Sequence, residues 1–109
     1  MQAGIVVYQR QGNQLVGQWS HESRGGKLMK EIVDDVAPGP LEGEWPVKIF
    51  DEAGELEYTG RLQSSKLGDC VKLVWEGNFV KNKTSLRFEG IGYAYGDLLS
   101  ASFEPVKTP

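Results

Sequence analysis

Leu15-Val16-Gly17-Gln18-Trp19 and Leu41-Glu42-Gly43-Glu44-Trp45 both read Leu-x-Gly-x-Trp. Side chains alternate between the faces of a strand, so leucine, glycine and tryptophan point the same way. A glycine beside a large indole leaves a gap on that face. A small closed β-barrel needs space opened at some layers and filled at others. The two stretches therefore predict a barrel with room in its interior.

The same alternation extends over eight stretches, at 3–10, 13–21, 27–36, 42–51, 55–64, 68–77, 84–95 and 97–104. Turn chemistry separates them. Gln11-Gly12-Asn13, Glu52-Ala53-Gly54, Leu67-Gly68-Asp69 and Tyr95-Gly96-Asp97 read as tight turns. Ser23-Arg24-Gly25-Gly26, Ala37-Pro38-Gly39-Pro40 and Asn78 through Lys83 read as longer loops. No segment sustains a helical period with caps, and Ala37-Pro38-Gly39-Pro40 would stop one. Short connections favour antiparallel neighbours. The predicted fold is all-β: one domain over 1–109, an eight-stranded antiparallel up-and-down barrel whose closure removes both sheet edges.

Alternation then assigns faces. Leu15, Gly17, Trp19 and His21 look inward, as do Gly43, Trp45, Val47 and Ile49. Leu56, Tyr58, Gly60 and Leu62 follow, then Val71, Leu73 and Trp75, then Leu86, Phe88 and Gly90, then Ala101 and Phe103. All three tryptophans share one interior. The third strand offers two faces, Met29, Glu31 and Val33 on one, Leu28, Lys30, Ile32 and Asp34 on the other. With the first set inward, Glu31 lies in the barrel and needs a partner or a raised pKa.

Val6-Val7-Tyr8, Gly12, Leu15 through Trp19 and Glu31 form one half of a repeating pattern, and Gly43 through Val47, Gly54 through Gly60, Val71 through Trp75, Gly90-Ile91-Gly92 and Gly96 through Leu99 the other. Together these runs resemble a group of small bacterial lipocalin-like, calycin-type barrels. That wider class includes lipocalins, fatty-acid-binding proteins and avidins, which hold small apolar or amphipathic ligands inside the barrel. The resemblance implies a barrel. It implies neither biotin nor a fatty acid: the helix after the lipocalin barrel, the helical lid of fatty-acid-binding proteins and an avidin-like polar set are all missing.

Composition narrows the function classes. A net charge of −3 with no basic block argues against nucleic acid. No run approaches a membrane span, and the start shows no signal-peptide pattern. A single cysteine, Cys70, excludes an intramolecular disulfide. These features place the protein in the cytoplasm by default, with no membrane partner.

The chemical candidates are few. His21 is the only histidine, too little nitrogen or sulfur for a metal site, and no cofactor motif is present. Ser20-His21-Glu22 is not a triad, because adjacent strand residues face opposite ways. Asp34, Asp35, Glu42 and Glu44 lack calcium-loop spacing and read as a solvated rim. Cys70 has no histidine or second cysteine beside it and reads as incidental.

Three readings remain. In the first, a small hydrophobic or aromatic molecule enters near His21 and is held by Tyr8, Trp19, His21, Glu31, Trp45, Tyr58, Trp75 and Phe88. The inward glycines favour such a pocket over a solid plug. In the second, the core is solid and an outward stripe of Ile91, Tyr93 and Tyr95 assembles the protein, for example as a homodimer. In the third, which ranks below the others, His21 and Glu31 form the acid–base pair of a calycin-like enzyme.

Overall fold

The computed structural model describes residues 3–106 and closes them into one antiparallel barrel. Its strands are β1 (Gly4–Gln11), β2 (Gln14–His21), β3 (Met29–Val33), β4 (Gly43–Phe50), β5 (Leu56–Leu67), β6 (Cys70–Phe79), β7 (Ser85–Tyr95) and β8 (Leu98–Val106). Each pairs with the next, and β8 returns to β1. The eight-stranded up-and-down barrel read from the sequence is the fold.

Boundaries shift where loops intervene. β3 is shorter than 27–36, because Asp35, at φ 60, turns the chain away from the sheet. β5 runs to Leu67 because a two-residue turn at Gly68-Asp69 lets Leu67 pair with Cys70. Asn78 and Phe79, assigned to a loop by their polar neighbours, finish β6 instead.

The faces follow the alternation. Leu15, Gly17, Trp19, Trp45, Val47, Ile49, Tyr58, Leu62, Leu73 and Trp75 are buried. The third strand resolves with Met29, Glu31 and Val33 inward. Two expected inward residues depart from the pattern. Gly43, the first residue of β4, is exposed with φ 149. Leu56 is 38% exposed, because the β4–β5 register shifts between Ile49 and Phe50.

The interior glycines do not supply the empty space. A Cβ at Gly17 would lie 2.6 Å from the Tyr8 ring, which already covers that position. Gly60 and Gly77 face each other across β5 and β6, and a Cβ at Gly60 would lie 2.1 Å from the Glu76 carbonyl oxygen. These glycines let an aromatic ring or a neighbouring backbone come close.

The barrel's two ends differ. At one, β1–β2, β5–β6 and β7–β8 turn over two residues each, with Gly12, Gly68 and Gly96 at positive φ. The β3–β4 loop folds across this end and buries Val36 completely, with Leu41 packed against the core. Val36 donates its backbone N–H to Asn13 O at 2.8 Å. Arg10 donates to Ala37 O and Gly39 O at 2.9 and 2.7 Å, and Ser64 Oγ to Leu41 O at 2.6 Å. The other end is a mouth. It carries a short 3-10 turn (Glu22–Arg24), which has no buried residue, together with the start of β1 and the end of β8.

Candidate functional site

A cavity of about 260 Å³ opens at the mouth. Its position follows from the register. Tyr8 pairs with Gly17, Gly17 with Glu31, Glu31 with Ile49, and Ile49 with Tyr58, in one row across five strands. Because Gly17 has no side chain, the Tyr8 ring lies over it and reaches Glu31 on the far side. The Tyr8 hydroxyl donates to Glu31 Oε2, and Trp75 Nε1 on β6 donates to the same oxygen at 3.1 Å. The indole N–H is shared, since it also lies 3.2 Å from the Tyr8 hydroxyl.

Glu31 is 2% exposed, yet it lines the cavity. Both hydrogen bonds use Oε2, and neither involves Oε1. Burial raises the Glu31 pKa to about 7, against the opposing pull of the Tyr8 and Trp75 hydrogen bonds. Tyr8 is pushed well above the ordinary phenol range, first by burial and then by the carboxylate beside it. Burial likewise raises Tyr58, whose hydroxyl donates to Leu86 O at 2.7 Å.

Above this floor the walls are aromatic. Phe103 of β8 sits at their centre, with ring centroids 6.3 Å from Trp19, 5.7 Å from Trp75 and 5.6 Å from Phe88. Tyr58 meets Phe88 at 5.9 Å and Phe79 at 5.5 Å. The buried Trp19 Nε1 has no partner among the described residues. At the rim, Arg24 lies 5.7 Å from the centre of the Trp19 ring. It pairs with Glu57 and, at 3.3 Å, with Glu52, so its charge is already matched. His21 Nδ1 lies 2.7 Å from Ser23 Oγ.

Of the eight ligand residues expected from the sequence, Trp19, His21, Glu31, Tyr58, Trp75 and Phe88 line this cavity. Tyr8 and Trp45 do not. Tyr8 is fully buried behind Glu31 and acts through it. Trp45, third residue of β4, lies toward the closed end, whereas Trp19 is sixth of eight in β2. His21 and Glu31 both line the cavity, with no hydrogen bond between them. The expected list omitted Phe103, Phe79, Leu86, Arg24 and Glu57. Inward alternation marked Phe103 and Leu86; nothing local marked the others. Among the described residues, no group of three or more His, Cys, Asp and Glu is placed to hold a metal.

The outward stripe exists as well. Ile91, Tyr93 and Tyr95 are 48, 54 and 70% exposed, and the two tyrosine rings stack at 6.5 Å. Cys70 is half-buried and free. No family model, curated protein or solved structure matches this chain.

Proposed function

We propose that the protein binds a small apolar or aromatic ligand inside the barrel, entering at the mouth beside His21. The observation that carries this reading is a cavity with aromatic walls and a single buried carboxyl group at its floor. The volume matches roughly nine waters at ~30 Å³ each, enough for one ring with a short arm. Membership of the calycin-type bacterial barrels, and work in the cytoplasm, belong to the same reading. They rest on the motifs quoted above and on one free cysteine.

The three indole N–H signals report the site separately. On titration with 2-phenylethanol, the NMR signals of Trp19 and Trp75 should shift and saturate, while that of Trp45 stays still. Leu86→Trp should fill the mouth and abolish the shifts with the fold retained by circular dichroism. No saturable shift in the native protein would end this reading.

A second reading concerns the outside of β7, β8 and β1. Ile91, Tyr93, Tyr95, Leu98, Ile5 and Val7 lie on adjoining strands there and are all at least 44% exposed. Between them stand only Ser100 and Ser102, so the face carries no charge. These six side chains expose on the order of 600 Å², the top of the range for a monomer's largest patch. Two such faces together approach the area of a small stable interface, which suits a second copy of this chain. Sedimentation should show a dimer that Tyr93→Ser with Tyr95→Ser dissociates; a monomer at high concentration would exclude it.

A further inference from the structure

We infer that the cavity selects a cationic amine carried on a small aromatic or aliphatic body, bound head first with its ammonium against Glu31 Oε1. The inference rests on the reading of the cavity as a ligand site and names the chemistry of the ligand's head.

The floor holds a carboxyl group whose negative charge is supported by hydrogen bonds and opposed by burial. Two donors, the Tyr8 hydroxyl and Trp75 Nε1, converge on Oε2. Neither bond uses Oε1, and Glu31 lines the cavity. Among the described residues, no cationic side chain pairs with Glu31. The only arginine lining the cavity, Arg24, stands at the rim and is committed to Glu52 and Glu57. A buried carboxylate without a counter-charge is costly, and a cation placed beside it removes that cost. The cavity that Glu31 lines is where such a cation can sit.

The walls suit the same head. Trp19, Trp75, Phe88 and Phe103 surround the space, and aromatic faces attract an ammonium group. A carboxylate or phosphate head would meet Glu31 directly and find, among the described residues, no positive group at the floor. A neutral hydroxyl could donate to Oε1 but would leave the charge unbalanced.

Binding should therefore depend on pH through Glu31. The titratable or charged groups around it are Tyr8 from β1, His21 from β2, Arg24 from the 3-10 turn, and Glu57 and Tyr58 from β5. The strands β4, β6, β7 and β8 present Ile49, Trp75, Phe88 and Phe103, none of them titratable. An alkylamine stays protonated across neutrality, whereas Glu31 loses its proton near 7. Amine affinity should rise by up to about tenfold per pH unit below that value and level off above it.

The test is calorimetric titration of the intact protein with 2-phenylethylamine, 2-phenylethanol and phenylacetate from pH 5.5 to 8.5. At pH 8 the amine should bind about ten- to a hundredfold more tightly than the alcohol, as a charge-assisted contact implies. Phenylacetate should bind least. Glu31→Gln should erase the preference for the amine and keep the alcohol. His21→Gln should leave the pH profile in place. Should Glu31→Gln fail to fold, the ratio of amine to alcohol affinity across pH in the native protein decides the matter. Alcohol and amine binding equally at every pH would overturn the amine inference and leave the ligand site standing. Binding of none of the three would overturn both.

Discussion

The closed end and the mouth are built from the same eight strands, yet one is filled and the other holds space. At the closed end, three two-residue turns let the strands pair to their tips. The one long connection there inserts Val36 and is pinned through its carbonyls by Arg10 and Ser64. At the mouth, the β2–β3 connection forms a 3-10 turn that buries nothing and holds itself by charge pairs at the rim. Whether a barrel end is solid thus depends on what its longest loop carries inward. The glycines along the strands decide something else, namely how closely rings and backbones approach.

Truncation of the large residue at the filled end should have the greatest effect. Trp45→Ala should cost ~3–5 kcal/mol, measured by denaturant unfolding, because the residue is 6% exposed and belongs to the hydrophobic core. The mouth should still bind 2-phenylethanol under conditions where the variant is folded. Loss of binding in the folded variant would show that the two ends are coupled.

Glu31 sits between the filled half and the cavity, and its effect follows pH. Its pKa rises from 4.5 in the unfolded chain to about 7 in the fold. Below the lower value both states hold the proton; between the two values only the folded state does. Stability is therefore greatest at acid pH and falls as pH rises through this window, by on the order of 3 kcal/mol. In Glu31→Gln this contribution should vanish, leaving a flatter profile of melting temperature against pH between 4.5 and 7. An unchanged slope would mean that the carboxyl group is not buried as described.

The smallest effect belongs to the fastening of the loop. Arg10→Ala should cost about 1 kcal/mol, since its two hydrogen bonds reach exposed carbonyls. Hydrogen exchange should quicken at Val36 and Leu41 and stay unchanged at Phe103. Faster exchange at both ends would count against independent closures.

Much of this contrast could be read from the chain, and the part that could not is long-range. Turn residues and period-two alternation mark all eight strands, because both signals are local. The ambiguity of β3 is a different case. Met29, Glu31 and Val33 point inward because Tyr8 and Trp75 await Glu31 from residues 23 and 44 positions away. No window along the sequence contains that pairing. The two Leu-x-Gly-x-Trp stretches look alike and behave differently for a related reason. Gly17 lies within β2 and is crossed by Tyr8, whereas Gly43 begins β4 and Leu41 lies in the loop before it. Their heights in the barrel are set by register, which puts one tryptophan in the cavity wall and the other toward the plug. Val36 is the least legible residue: it ends the 27–36 stretch by alternation, yet it is buried from a Pro- and Gly-rich loop beyond β3.

Gly4 pairs with Phe103, the residue at the centre of the cavity wall. The first and last strands of the barrel therefore meet at the mouth. A peptide or domain joined ahead of β1 or after β8 would start from the mouth of the cavity, where it could restrict access. The Gly12-Asn13 and Gly96-Asp97 turns lie at the opposite pole. Reopening the chain at one of them, with the original termini linked, would make a circular permutant whose new ends leave the threshold clear. Comparing probe on-rates in the two chain orders would measure how far attachment geometry alone controls traffic into the barrel.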